Sequence, residues 1–169
     1  DAIKKLDKKP GDDDASSAIP ILYSNIKNAH QAKIRSFNNS KEITKWDKLV
    51  DEYEQLQQAY NSIINSTGAF KLVNPQSYST ELLETKDTAA AVYYTAAEEF
   101  LAKNNRADAK KAYTYFKKAD KYSPGYKNAK QKMDEAYETA VVDVVINPVQ
   151  DNSFFFNSSW GNYGYNYSN

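Results

Sequence analysis

The sequence predicts an all-α chain: an array of antiparallel helical hairpins, followed by a short C-terminal β-strand and an aromatic tail. Three observations carry this. Helix breakers are scarce, with 5 glycines and 5 prolines in 169 residues. Between Gly11 and Gly125 only Gly68 interrupts, so long helices meet little opposition. Apolar residues recur at spacings of three and four over most of the chain. Finally, the stretch 89–127 reads as two amphipathic helices joined by a polar turn and closed by Pro124-Gly125, with the other helices stacked on this pair.

Residues 1–12 read as the tail of a helix stopped by Pro10-Gly11, with Ala2, Ile3 and Leu6 as a partial apolar face. They are expected to be a linker or the end of a repeat whose start lies upstream. Residues 13–37 form the next helix, on the stripe Ile19, Leu22, Tyr23, Ile26, Ala29, His30, Ile34 and Phe37. Its start has two readings. Ser17 as N-cap puts Pro20 in the first turn, where its missing N–H costs little. A start near Asp13 instead forces Pro20 to kink the helix. The run Asp12-Asp13-Asp14 suits a helix N-terminus. It lacks the alternating ligands, glycine and glutamate of a calcium loop.

Residues 40–66 carry the cleanest stripe: Ile43, Trp46, Leu49, Val50, Tyr53, Leu56, Tyr60, Ile63 and Ile64. Asn39 or Ser40 is the expected cap, Asn39 and Glu42 have capping-box spacing, and Gly68 is the expected stop. Residues 69–76 are a connector, with Phe70, Leu72 and Val73 tucked under neighbouring helices and Pro75 against helix. Residues 77–103 follow, with Ser77 or Ser79 as cap. Tyr78, Leu82, Ala89, Tyr93, Ala96 and Phe100 share one face, and the alanines allow close helix approach. In residues 106–122, Asn105 caps with Asp108 as its partner. Ala109, Ala112, Tyr113, Phe116 and Ala119 point inward, while Lys110, Lys111, Lys117, Lys118 and Lys121 form a solvated basic face. Residues 126–140 make a fifth helix on Ala129, Met133, Ala136, Tyr137 and Ala140. The expected domain is thus 13–140.

The character changes over 141–169. Val141, Val142, Val144, Val145 and Ile146 precede Asn147-Pro148 and favour a strand. Such a strand needs a pairing partner: the tail, another chain, or a β domain further on. Oligomerisation through it is therefore an open expectation. Residues 149–169 carry one charge, Asp151, among Phe154, Phe155, Phe156, Trp160, Tyr163, Tyr165 and Tyr167. Three readings stand: the edge of a truncated domain, a self-association segment, or a surface that stacks on sugars.

Composition narrows the function. Lys+Arg and Asp+Glu are both 22, so the chain lacks the basic field of a nucleic-acid binder. There is no cysteine, which removes disulfides, thiolate chemistry and Cys-based zinc sites. No apolar run reaches the roughly 18 residues of a membrane span, and no signal peptide is visible. His30 is the only histidine and lies on or beside an apolar helix face, where packing is the ordinary role. Glu81, Glu84, Asp87, Glu98 and Glu99 have no histidine nearby, and Glu-x-x-His pairs, phosphate loops and nucleophile elbows are missing. The chain is read as a non-enzyme with no cofactor and no metal.

Within 89–140 the pattern resembles a tetratricopeptide repeat (TPR). Ala112, Phe116, Ala119 and Pro124 fall at that family's second-helix spacing, and Tyr93, Tyr94, Ala97 and Leu101 look like its first helix. The stretch from Ala97 to Ala112 is about three residues longer than the repeat, which lengthens the turn at 104–108 and makes the array irregular. More narrowly, the order WDKLVDEYEQLQQAYNSI, AAAVYY, AYTYFKKADKYSPGYKNAK and NPVQDN resembles Bacteroidetes envelope lipoproteins with irregular TPR-like helices. That resemblance implies an extracytoplasmic place in the cell envelope, tethered through a lipidated N-terminal cysteine. This chain has no such cysteine, so the anchor rests on the resemblance alone.

The function expected is a protein-interaction scaffold gripping a protein or peptide partner, with Lys110 and Lys117 on the helical part of the surface. The alternative is a glycan-binding or envelope-assembly module using Trp160, Tyr163 and Tyr165. A polar-aromatic groove along the pair 77–122 would favour the scaffold.

Overall fold

The computed structural model describes residues 1–141 and places seven α-helices among them. They are α1 (Ala2–Lys8), α2 (Asp13–Asn38), α3 (Lys45–Ile64), α4 (Thr67–Leu72), α5 (Ser79–Leu101), α6 (Arg106–Tyr122) and α7 (Ala129–Ala140). The described residues contain no strand; all of the β run but Val141, and the whole aromatic tail, lie outside them. Neighbours in the array are antiparallel. His30 of α2 meets Glu52 of α3, Asp47 of α3 meets Tyr93 of α5, and Arg106 at the start of α6 bonds the Ala140 carbonyl at the end of α7. The packing order is α2, α3, α5, α6, α7, with α1 and α4 wedged together against α2 and α3.

Helix α2 starts at Asp13, not after Ser17. The Asp12 carboxylate accepts the Ala15 N–H at 3.0 Å and lies 3.2 Å from the Lys5 ammonium, so a stronger N-cap than Ser17 lies upstream. That N–H bond first, and Lys5 second, hold the Asp12 carboxyl below its ordinary range. Pro20 therefore sits inside the helix, where it leaves the Ser16 carbonyl without its i+4 donor.

Helix α3 starts at Lys45, five residues later than the stripe suggested. Because α2 runs to Asn38, residues 39–44 must reverse the chain. The Asn39–Glu42 capping box does not form; the Ser40 hydroxyl instead accepts the Glu42 N–H at 3.2 Å. Gly68 is not a stop. The chain leaves α3 at Asn65, and Ser66 caps a further helix, α4, by accepting the Ala69 N–H at 3.2 Å. Gly68 lies within α4, where a Cβ would come 2.9 Å from Leu6 Cδ2 of α1. A side chain at 68 would have to displace the Leu6 side chain of α1. Phe70 and Leu72, expected under the helices, are 55% and 39% exposed.

At the head of α5 the N-cap position falls on Tyr78, between the two expected serines, and the Ser77 hydroxyl accepts the Ser79 N–H at 3.4 Å. The side chain of Gln57 in α3 takes the Tyr78 N–H at 2.7 Å. The start of α6 follows its sequence signature: Asn105 accepts the Asp108 N–H at 3.0 Å and donates to the Asp108 carboxylate at 2.9 Å. The turn before it passes through Asn104 at φ +48°, a left-handed position asparagine tolerates.

The main core lies between α5, α6 and α7, closed by α3. Tyr93 and Phe116 are fully buried, together with Ala89, Ala90, Ala97, Ala112, Ala119 and Ala136. The alanines bring the backbones close, and the rings fill the remaining space. Tyr94 meets Phe116 edge-on at 5.3 Å between ring centroids. Ile43, Trp46 and Val50 close this core from the α3 side. A second cluster, Ile34, Leu49, Leu56 and Tyr78, joins α2 to α3 and the head of α5. A third, Leu6, Ala15, Ile19, Ile63 and Ala69, holds the wedge of α1 and α4.

Candidate functional site

The polar groups that converge most closely lie on the seam between α3, α5 and α6. The Asp47 carboxylate accepts from the Tyr93 hydroxyl at 2.8 Å, from the Tyr122 hydroxyl, and from the Lys118 ammonium at 2.5 Å. Lys118 also lies 3.3 Å from the Tyr93 hydroxyl and above its ring. Burial pushes the Asp47 carboxyl up, but the bonds from Lys118, Tyr122 and Tyr93 outweigh it and hold it below the usual carboxylate range. Burial first, and the carboxylate second, drive both phenols far above their ordinary value. The Asp47 carboxyl and the two phenols are thus each held in one protonation state near neutrality. None of these four residues lines the grooves described below. The cluster ties three helices together. Lys118, expected on the solvated face, is in fact drawn in to Asp47.

His30 has an equally structural partner. Its Nδ1 is hydrogen-bonded to the Glu52 carboxylate across α2 and α3, and Lys33 reaches the other Glu52 oxygen at 3.3 Å. Among the described residues no three histidine, aspartate or glutamate side chains are grouped to hold a metal ion.

The inner face of the α5–α6 pair is covered by α3 on one side and α7 on the other. On the outside of α5 a shallow groove of about 370 Å³ runs along Ala91, Val92, Thr95, Ala96 and Glu99. Lys110 and Lys117 remain exposed on α6. Lys110 forms one rim of a shallow groove of about 350 Å³ between α6 and α7, with Tyr113, Thr114, Tyr137, Ala140 and Val141. Lys117 follows two turns along the same helix and is not among that lining. Trp160, Tyr163 and Tyr165 lie outside the described residues.

A further groove was not anticipated. Helix α2 turns Ile21, Leu22 and Ile26 outward at 62%, 49% and 41% exposure, and Ala29 is exposed on the following turn. Leu22, Ile26 and Ala29 belong to the apolar stripe of this helix, yet that part of the stripe faces solvent. Between α1, α2 and α3 this face borders an apolar groove of about 230 Å³, lined among others by Ile3, Ile19, Leu22, Tyr23, Ile26 and Ile63. The sequence did carry a signal. Ile19, Ile21, Leu22, Tyr23 and Ile26 span a wider arc of α2 than one packed neighbour covers. A larger cleft of about 580 Å³ opens between α1 and α4 beside Asp7, Ser66 and Lys71, where the Ser66 hydroxyl donates to Asp7 at 2.5 Å.

No family model, curated protein or solved structure matches the chain. No helix of the described residues is long and apolar enough to cross a membrane.

Proposed function

We propose that the chain is a non-catalytic scaffold of the cell envelope, an irregular TPR-like array that binds a protein partner through the groove between α1, α2 and α3. The observation that carries this is the outward apolar face of α2, Leu22 and Ile26, at the edge of that groove. Helices that bury one face and leave a second apolar stripe open suit an amphipathic helix or peptide laid alongside them. The TPR-like reading is supported by the burial of Tyr93, Tyr94, Ala97, Ala112, Phe116 and Ala119, and by Pro124 falling just past the end of α6. The placement in the envelope rests on the resemblance alone. The glycan-binding alternative keeps its support in the aromatic composition of 149–169.

The experiment is affinity capture from native envelope, comparing the full chain with its Leu22→Ser/Ile26→Ser variant. A protein identified with the native chain and lost with the variant, at unchanged circular dichroism, supports the scaffold. Retention by both, or recovery of polysaccharide only, counts against it.

A further inference from the structure

We propose that a second copy of this chain occupies the open face of α2, the two α2 helices packing antiparallel about a twofold axis at Asn25. The proposal deepens the scaffold reading and rests on its premise that this face binds protein. The centre of the face is apolar. Ile21, Leu22 and Ile26 are exposed there, with Asn25 and Ala29 among them. At the helical repeat, Ala18, Leu22, Asn25, Ala29 and Ala32 follow one line along α2, with Ile21 on one flank and Ile26 on the other.

Charge selects the partner. Asp13 and Asp14 open the helix. No charged side chain follows until Lys27, and the formal charges from there to Asn38 are all positive: Lys27, Lys33 and Arg35. The helix is acidic at one end, basic at the other and neutral between. A parallel copy would set acid on acid and base on base. An antiparallel copy sets each end against its opposite, so the face is its own complement, as a twofold interface requires. Asp14 is available for this, since its side chain is 96% exposed and its ion pair with Lys5 is long, at 3.9 Å. Lys33 is held by Glu52 at 3.3 Å. Arg35, exposed in the last turn, is then the cation for Asp14.

The register follows. With Asn25 opposite its own copy, Ile21 falls opposite Ala29, Ala18 opposite Ala32, and Asp14 opposite Ser36, one residue from Arg35. Leu22 and Ile26 of each copy then come beside Ala29 and Leu22 of the other, at the edge of the groove between α1, α2 and α3. Asp14 and Arg35 lie on the same side of the seam, as residues that meet across such an axis must. The two Asn25 amides bond each other at the axis, where a single polar pair in an apolar seam fixes register.

The test is sedimentation velocity on the purified full chain over a range of micromolar concentrations, where a dimer is expected. Asp14→Lys and Arg35→Glu, each alone, should weaken it about tenfold by placing like charges at both ends. The double variant Asp14→Lys/Arg35→Glu reverses both pairs and should dimerise like the native chain. Loss in each single variant and recovery in the double belong to the antiparallel pairing, because a parallel dimer sets each position against itself. The chain has no cysteine, so Asn25→Cys places one thiol per copy at the axis and should oxidise to a linked dimer. Ser24→Cys, about 100° further round the helix, should not. Circular dichroism checks that each variant is folded. A chain that stays monomeric overturns the proposal and leaves the scaffold reading to its own test, capture of another protein through Leu22 and Ile26. A dimer indifferent to the charge variants, or linked as readily through Ser24→Cys, also overturns it. A dimer with the expected responses upholds it even where capture from envelope returns only the chain itself, a result that counts against a separate partner.

Discussion

Around α5 and α6 the chain buries Tyr93, Phe116 and six alanines completely; around α2 and α4 it leaves Ile21, Leu22, Ile26, Phe70 and Leu72 at 39–62% exposure. Both regions are built from amphipathic helices of ordinary length. They differ in what faces what. In α5–α7 the buried alanines let the backbones approach, and the rings fill the gaps against one another, Tyr94 on Phe116 and Tyr93 on Tyr115 and Tyr122. In α1–α4 the partners of α2 are one long helix and two short ones, α1 and α4, of 7 and 6 residues. They cannot cover a helix of 26 residues that is apolar on more than one face. One block is closely packed, the other leaves apolar surface open, and α3 with its Asp47 cluster joins them.

The largest expected effect breaks the packed side. Phe116→Ala should cost about 3–5 kcal/mol, the usual range for emptying a core ring site. Leu22→Ala, at the open face, should stay within about 0.5 kcal/mol. Urea unfolding of the two variants checks this, and equal losses would erase the distinction. Next comes the joint. Asp47→Ala strands the Tyr93 and Tyr122 hydroxyls and the Lys118 ammonium, and should cost about 1–3 kcal/mol in the same assay. Smaller again is the α6 cap: Asn105→Ala should lose about 1 kcal/mol, with Asn105→Asp retaining most of it.

The acid limb tests the joint differently. The Asp47 carboxyl is held below its unfolded value, so its contribution is complete above that value and lost as pH falls through the folded one. Stability of the native chain should therefore fall more steeply below about pH 4 than that of Asp47→Asn, because unfolded aspartate titrates near there. Parallel curves would show that the cluster adds nothing. The smallest effect on stability is expected from Leu22→Ser/Ile26→Ser, which should leave the unfolding midpoint nearly in place while removing partner capture.

Much of the helical layout was legible because its signals are local. The Asn105 cap and the alanine–aromatic face of 106–122 fixed α6 to the residue, and Pro10-Gly11 marked the end of α1. What escaped depends on distant residues. Gly68 reads as a helix stop until Leu6 of α1 is seen against it, more than sixty positions earlier. Asp47 looks like an ordinary surface carboxylate beside Trp46; nothing nearby announces that Tyr93, Lys118 and Tyr122 will reach it. The stripe of α2 was visible, but periodicity assigns a face to burial without saying whether a neighbour exists to bury it. For the same reason the apolar groove between α1, α2 and α3 was not legible in the stripe.

The most direct test of the two-block account is native-state hydrogen exchange, resolved by residue. Amides around Tyr93 and Ala97 in α5 and Ala112 and Phe116 in α6 should exchange only through global unfolding. Those of α1, α4 and the first turns of α2 should open locally and exchange at least about tenfold faster, a gap of about 1.4 kcal/mol. Equal protection across α1 to α7 would contradict the account, since the chain would then open as one unit.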